Sequence, residues 1–307
     1  MNVKITDYPY RYKAFNLNVY SQIPVSGLVE HSSGAPEIII KEGRVPENLK
    51  QPLNKGVLFQ ANEKEFLLHV DGLAGFYVQN GQTITVEIKD TSSRDDLSAF
   101  ILGTVFGALL HQRRLLPLHG SAVLYKNEGV IFSGNSGAGK STLAAAFIEK
   151  GARLLADDIS LIGFDKDKPQ IIPAFPGMKI WEDSLIELGK NPGRFNPIRK
   201  DLKKYLYPVE KFHNQEIGLK CIFVISTHNI EKFEIKDIQG IEKFNTLKNN
   251  TYFFRGMNKT GILEKHFQLC NQLAQNIAVI HIIRPNSGFK IDTLVNLITE
   301  RISKIEK

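Results

Sequence analysis

The sequence predicts an α/β fold in two parts: an N-terminal β-rich domain over residues 1–92, then an alternating strand–helix domain over residues 93–307. Short apolar runs separated by turn formers fill the first part, which is typical of a β-sheet. From Leu118 onward strand-like and helix-like patterns alternate, and a glycine-rich turn joins one strand to a helix. The length of 307 residues agrees with two domains.

The β-rich part is marked by its turns. Ser32–Pro36 and Pro46–Pro52 are rich in Pro, Gly, Ser and Asn, and strand-like runs lie at Glu37–Lys41 and Phe66–Val70. The segment 75–89 predicts a hairpin, because Asn-Gly at 80–81 suits a tight turn and the following residues alternate between polar and apolar. This part contains no recognisable catalytic constellation.

A helix is predicted between the two parts. Apolar residues recur at helical spacing from Leu97 to Leu109, and Asp95 and Asp96 lie in the first turn, where the helix dipole favours negative charge. Gly103 weakens the helix locally. We expect this helix to lead into the second domain.

The second part predicts a succession of buried strands and amphipathic helices. The strands are expected at residues 121–125, 129–134, 153–164, 220–226 and 278–283, and the helices at 141–150, 261–275 and 291–304.

Composition sets broad limits on function. The formal net charge is +7 (39 − 32) with a pI near 9.2, which favours anionic partners but equally fits a lysine-rich solvated surface. Cys221 and Cys270 form no metal-binding pattern and are expected to be reduced thiols. The apolar run Ala99–Leu110 is shorter than the ~20 residues that span a bilayer. The sequence therefore predicts a soluble, cytoplasmic protein without a nucleic-acid or membrane partner.

The glycine-rich turn is the motif that carries chemistry. Residues Gly134–Ser141 read GNSGAGKS and match the P-loop pattern G-x-x-x-x-G-K-[ST] between a strand and a helix. In such a loop backbone N–H groups surround phosphates, the lysine binds the β- and γ-phosphates, and the serine hydroxyl binds Mg²⁺. The alternative is an ordinary strand-to-helix turn. The residues expected to bind ATP are Gly134, Asn135, Ser136, Gly137, Ala138, Gly139, Lys140, Ser141 and Thr142.

Two carboxylates and a histidine accompany this loop. Asp157 and Asp158 follow an apolar strand, 17 residues after Lys140 (157 − 140), so a helix and a strand return the chain to the phosphate end of the loop. Of two such carboxylates, one can hold Mg²⁺ and another can orient an acceptor hydroxyl and take its proton. The alternative is that the pair merely caps a turn. His119, just before a strand, could contact a phosphate or tune an aspartate, or it could be structural.

Together, residues 118–158 resemble the catalytic domain of HPr kinase/phosphorylase, which has a His-Gly before a strand, a GxSGxGKS loop and a later Ala-Asp-Asp. A broader similarity, carried by LGTVFGALLHQRRLLPLHGSAV, PAFPGMKIW, KHFQLCNQLAQ and IIRP, extends to the HPr-kinase-like proteins of bacterial peptide-modification clusters. The resemblance implies a P-loop core related to that of ATP-type phosphoenolpyruvate carboxykinases. It also implies an ATP- and Mg²⁺-dependent serine kinase that forms homo-oligomers.

The resemblance also assigns roles to residues. Asp158 matches the aspartate that activates the serine hydroxyl, Asp157 its neighbour at the metal and phosphate, and His119 the upstream histidine, while Lys140 and Ser141 hold phosphate and Mg²⁺. The chain departs from HPr kinases at Thr142, where they usually carry Glu, and in a later Glu-and-Arg signature for which Lys179, Glu182 and Asp183 are the nearest candidates.

These departures favour the group that phosphorylates a serine of a ribosomally made peptide, including the C-terminal serine of lasso-peptide precursors, or of a small protein. Two alternatives stay open: an HPr-type serine kinase/phosphorylase, and a non-catalytic ATP-binding scaffold of a peptide-modification system. The basic segment Arg199, Lys200, Lys203 and Lys204 could receive a peptide carboxylate or a phosphorylated product, or form a solvated helix face, which is favoured.

Overall fold

The structure is a computed structural model that describes residues 7–31, 34–89, 93–199, 202–286 and 290–305. The chain forms two compact units, one made of Met1–Pro117 with Tyr252–Leu269 and the other of Leu118–Thr251 with Cys270–Lys307. Each unit contains a large β-sheet, so the mixed α/β class is confirmed.

The strands of the described residues are, in chain order, β1 (Tyr10–Ala14), β2 (Leu17–Ser21), β3 (Ile38–Glu42), β4 (Asn54–Lys55), β5 (Phe59–Ala61), β6 (Glu65–Val70), β7 (Ala74–Gln79), β8 (Thr83–Ile88), β9 (Leu116–Tyr125), β10 (Glu128–Gly134), β11 (Arg153–Ala156), β12 (Ile159–Asp165), β13 (Lys168–Ile172), β14 (Met178–Trp181), β15 (Pro197–Arg199), β16 (Leu202–Tyr207), β17 (Ile217–His228), β18 (Glu234–Ile238) and β19 (Ala278–Pro285). The helices are α1 (Arg94–Phe100), α2 (Phe106–Gln112), α3 (Lys140–Glu149), α4 (Glu182–Glu187), α5 (Gly240–Asn249), α6 (Phe254–Met257), α7 (Leu263–Asn276) and α8 (Ile291–Ser303), with a π-helical turn at Ile101–Val105 and a 3-10 turn at Pro192–Arg194.

The first unit is built on an eight-stranded sheet in the order β1-β2-β3-β8-β7-β6-β5-β4. The predicted hairpin is confirmed as β7 and β8, which pair antiparallel across Asn80 and Gly81, both with positive φ. The predicted helix is interrupted by the π-helical turn, where Gly103 leaves helical geometry at φ −102° and ψ −106°.

The observed division of the chain differs from the predicted boundary after residue 92, which itself adjoins residues outside the described ranges. The helical segment belongs to the first unit because its aromatic side chains pack there: Phe100 stacks on Phe76 with ring centroids 5.9 Å apart, and Phe106 lies 5.7 Å from Phe15. Residues 252–269 join the same unit, since Phe253 packs edge-on against Phe66 at 5.5 Å.

The second unit contains another eight-stranded sheet, in the order β10-β9-β12-β13-β17-β19-β18 with β11 beside β9. Strand β10 also pairs with β17, so five of these strands close on themselves. The predicted strand pair at 121–134 is confirmed as β9 and β10, and the turn residues Lys126 and Asn127 both have positive φ, as a two-residue hairpin requires.

The core of the second unit lies between its parallel strands and two helices. Phe132 on β10, Phe223 on β17 and Ile280 on β19 are in register across the sheet and fully buried. Helices α3 and α8 cover them with residues such as Phe147 and Ile298. This packing fixes the start of α3 at the carboxyl end of β10, where the glycine-rich loop lies.

A separate three-stranded sheet, in the order β14-β16-β15, also belongs to this unit. The basic segment was expected as a helix face, and this expectation is wrong: Lys203 and Lys204 lie on β16, because that segment pairs with β14 and β15. Lys200 falls outside the described residues.

Candidate active site

The glycine-rich loop runs from the end of β10 to the start of α3. Gly134, Gly137 and Gly139 have φ of +135°, +80° and +101°, in the left-handed region that favours glycine. A Cβ on Gly134 would meet the carbonyl oxygen of Ile225 at 2.3 Å, whereas a Cβ on Gly137 would have nothing within 4 Å. The loop is therefore held against β17 on one side and open on the other.

Lys140 is the first residue of α3 and is turned back toward the loop. Its Nζ donates to the carbonyl oxygens of Gly134 at 3.0 Å and Asn135 at 2.9 Å, and only 8% of the residue is exposed. Burial lowers the pKa of the Lys140 ammonium, and the negative charges of Asp158 and Asp157 oppose this shift. The loop thus holds a buried cation within electrostatic reach of both carboxylates.

Asp157 connects three elements of the unit. Strands β10 and β11 flank β9 and both run antiparallel to it, so their carboxyl ends lie at the same edge and Asp157 comes close to the loop. Its Oδ1 accepts hydrogen bonds from Ser141 Oγ at 2.8 Å and Ser121 Oγ at 2.6 Å, and its Oδ2 accepts from the backbone N–H of Lys179 at 3.0 Å. The side chain is buried and fixed by neutral donors.

Asp158 differs from its neighbour in backbone and exposure. It has φ +70°, and the N–H of Ile159 donates to the carbonyl oxygen of Asp157 at 2.9 Å, which closes a tight turn around Asp158. Its own carbonyl oxygen accepts from the N–H of Gly120 at 3.2 Å. The side chain is 48% exposed, so this carboxylate can meet a group that arrives from solvent.

His119 lies beside Asp158 at the start of the paired region of β9. Its Nδ1 is 3.2 Å from the carbonyl oxygen of Asp158 and 3.4 Å from Asp158 Oδ1. Because a carbonyl oxygen only accepts, Nδ1 carries the proton and donates to it. Burial, and then the charge of Lys140, lower the pKa of the imidazole, against the opposing charge of Asp158. His119 is therefore a neutral side chain that supports the Asp158 turn.

The remaining predicted residues have other surroundings. Asn135, Ser136 and Gly137 are exposed at the open side of the loop. Thr142 is buried and its Oγ1 donates to Ser184 Oγ at 2.7 Å, so its hydroxyl is directed to α4. Ala138 is also buried, and its carbonyl oxygen accepts a buried hydrogen bond.

Two residues that sequence reasoning missed support the site. Arg284 on β19 is buried, and its guanidinium donates to the carbonyl oxygens of Ala138 at 3.1 Å and Pro285 at 2.9 Å, which ties the loop to the sheet. Ser121 hydrogen-bonds Asp157. It follows His119 by two residues on one strand, so strand alternation could have placed both on one face. Arg284 lies in the IIRP stretch quoted for the resemblance, but no local pattern assigned it a contact with the loop.

The basic segment is divided between two environments. Lys203 is exposed and pairs with Glu182, with Nζ to Oε2 at 2.8 Å. Lys204 is partly buried, and its charge contributes to lowering the pKa of Lys140 and of Lys179. Of the two lysines of this segment that the structure describes, Lys204 is the one near the candidate site.

Two side-chain oxygens at this site could hold Mg²⁺. Within the described ranges no group of three His, Cys, Asp or Glu side chains could hold a metal ion. Magnesium commonly takes one or two protein oxygens and completes its shell with water and phosphate. Ser141 Oγ and Asp157 Oδ1, 2.8 Å apart, provide such a pair beside the buried Lys140 ammonium.

Comparisons with solved structures find similar chains. The chain is similar to the structure of the Hpr(Ser) kinase/phosphatase from Coxiella burnetii, with a TM-score of 0.35 and 13% sequence identity over 62% of this chain and 99% of that chain. No family model matches the sequence, and no curated protein matches it. Among the helices that the structure describes, none is long and apolar enough to cross a membrane.

Proposed function

We propose that this chain is an ATP- and Mg²⁺-dependent kinase that transfers the γ-phosphoryl group to a serine hydroxyl of a ribosomally made peptide or small protein. The observation that carries the proposal is the hydrogen bond of 2.8 Å between Ser141, in the first turn after the glycine-rich loop, and Asp157, beside the exposed Asp158. A glycine-rich loop, two oxygens that could hold Mg²⁺ and the exposed carboxylate of Asp158 thus lie in one unit, an arrangement that suits phosphoryl transfer.

The loop and its lysine would bind the nucleotide. Open space over Gly137 lets a phosphate approach the backbone, and the N-terminus of α3 adds positive potential there. Lys140 would exchange its carbonyl acceptors for phosphate oxygens. Ser141 and Asp157 would hold Mg²⁺, which when bound neutralises charge on the phosphates.

Asp158 would act on the acceptor. The serine oxygen forms a bond to the γ-phosphorus while the bond from that phosphorus to the bridging oxygen of ADP breaks, and the hydroxyl proton passes to the Asp158 carboxylate. Asp157 is less suited to this step because it is buried and already accepts three hydrogen bonds. His119, held neutral by burial, would keep the Asp158 turn in place by donating to its carbonyl oxygen.

The test is transfer of labelled phosphate. The full chain is incubated with Mg²⁺, γ-labelled ATP and a library of serine-containing peptides, and phosphoserine is located by mass spectrometry. We expect label on serine, lost in Lys140→Ala, while Lys168→Ala, which removes an exposed lysine of the same unit, retains transfer.

Other results of this experiment would support a different function. Transfer to HPr alone would favour the HPr-type kinase/phosphorylase and contradict the peptide substrate. Binding of ATP without transfer to any acceptor would favour the non-catalytic scaffold. Absence of ATP binding would reject the proposal altogether.

A further inference from the structure

The three-stranded sheet β14-β16-β15 presents two different faces. Across β14 and β16, Lys179 is opposite Leu206, and Trp181 is opposite Lys204. Because directly opposed residues point to the same side of a sheet, these four side chains share one face, which we name the Lys–Trp face. The alternate residues Met178, Ile180 and Tyr207 are buried in the core of the unit.

The Lys–Trp face begins at the candidate active site. The backbone N–H of Lys179 donates to Asp157 Oδ2 at 3.0 Å, which fixes the start of the face at this carboxylate. Asp158 directly follows Asp157, so Lys179 lies beside the carboxylate pair of the proposed reaction.

The Lys–Trp face combines charge with exposed apolar surface along its length. Trp181 is 43% exposed and Leu206 is 41% exposed. The Lys204 Nζ lies 5.3 Å from the centroid of the Trp181 ring, a cation–π arrangement that holds the ammonium over the aromatic surface. Large aromatic and apolar side chains left partly exposed beside fixed charges are typical of recognition surfaces.

We propose that the Lys–Trp face binds the acceptor peptide, and that it selects a segment with a carboxylate and an apolar side chain within a few residues of the serine. The inference rests on the proposed function and names its substrate class. Lys179 and Lys204 would meet the carboxylate, which can be an Asp or Glu side chain or the peptide's own C-terminus, and Trp181 with Leu206 would meet the apolar side chain.

A peptide fits this face better than the nucleotide. In the proposed function, Lys140 and the backbone N–H groups of the loop would bind the phosphates of ATP. These phosphates need no apolar contact. The acceptor serine has to reach Asp158. Lys179, which contacts the neighbouring Asp157, and Lys204 both belong to a sheet with an exposed apolar surface, whereas Lys140 is buried at the loop. An extended peptide laid along this face would thus place its serine at the reacting end.

Trp181 is the one tryptophan of the chain, so its fluorescence reports on this face alone. Four tryptophan-free serine peptides are titrated without nucleotide: one with Glu two residues from the serine, its Gln counterpart, one ending in serine with a free carboxylate, and its amidated form. We expect emission to shift with the carboxylate peptides and their affinity to exceed that of the matched neutral peptides by about tenfold, or 1.4 kcal/mol. The pair that shows the difference identifies the source of the carboxylate.

A charge exchange tests the same contact in the protein. Lys204→Glu should weaken the carboxylate peptides about tenfold and strengthen a peptide with Lys in place of Glu. Lys168→Glu, which changes an exposed lysine outside the face, should leave all affinities unchanged. Trp181→Ala, followed by anisotropy of labelled peptides, should weaken acidic and neutral peptides alike.

The outcomes separate this inference from the proposed function. Equal affinity for acidic and neutral peptides, while phosphate is still transferred to serine, would overturn the docking face and leave the kinase intact. Carboxylate-dependent binding without any transfer would support the face and reject the kinase. An emission shift with ATP but with no peptide would assign the face to the nucleotide and overturn the inference.

Discussion

Replacing Gly137 by alanine should separate nucleotide binding from folding. An alanine at φ +80° destabilises the folded state by ~1–2 kcal/mol, because its side chain disfavours the left-handed backbone conformation. Alanine also restricts the unfolded chain, which offsets ~0.4–1 kcal/mol of this loss. The new Cβ meets no protein atom within 4 Å, so no clash adds to this. We expect the free energy of unfolding to fall by about 1 kcal/mol.

Nucleotide binding should suffer far more. The same Cβ occupies the open space through which a phosphate would approach the loop backbone, so we expect the Kd for ATP to rise at least about tenfold. Gly151→Ala is the matched control: Gly151 has φ +97°, its Cβ also has nothing within 4 Å, and it lies at the far end of α3.

Chemical denaturation of both variants measures their stability, and ATP titration measures their affinity for the nucleotide. We expect both variants to lose a similar, small amount of stability. Only Gly137→Ala should lose affinity for ATP. Unchanged affinity in Gly137→Ala, or an equal loss of affinity in both variants, would show that phosphate does not use this loop.

Three other changes have separate physical reasons. Arg284→Met removes the donor to the Ala138 carbonyl oxygen and should lower the free energy of unfolding by about 1–3 kcal/mol. Arg284→Lys should be less affected. Equal stability of Arg284→Met and the wild type would contradict a stabilising role for this hydrogen bond. Ser121→Ala removes one donor to Asp157 and should reduce Mg²⁺-dependent ATP affinity while affinity measured with EDTA is retained. Burial lowers the pKa of His111 from 6.5 to about 4, so the unfolded chain binds the proton first as pH falls, and stability should drop by roughly 2 kcal/mol between pH 7 and pH 5. His111→Gln should flatten that pH dependence relative to His228→Gln, and an unchanged slope would refute the assignment.

Local patterns predicted the parts of the fold that short segments determine. The Asn80-Gly81 hairpin, the β9–β10 hairpin and the strand–loop–helix at Gly134 depend on backbone conformations that only a few residue types favour. The return of Asp157 to the loop was also predictable, because a helix and a strand bring the chain back over the 17 residues that follow Lys140 (157 − 140), and Asp157 hydrogen-bonds Ser141.

Features set by packing between distant segments were not accessible in this way. Residues 93–117 join the first unit through contacts such as Phe106 on Phe15, which no local pattern indicates. Lys204 lies on a strand only because Trp181 pairs with it, and its basic neighbours had suggested a helix face. Arg284 reaches Ala138 across 146 residues of chain, and the IIRP stretch in which it lies gave no indication of that contact.

The most direct test of the account is the effect of Asp158→Asn on binding and transfer. Asparagine preserves the shape of the side chain and tolerates positive φ, but it cannot take the serine proton. We predict an ATP affinity within about twofold of wild type and a transfer rate lower by at least about 100-fold, with Asp165→Asn as the exposed control. Transfer at the wild-type rate in Asp158→Asn would contradict the central claim that this carboxylate accepts the proton.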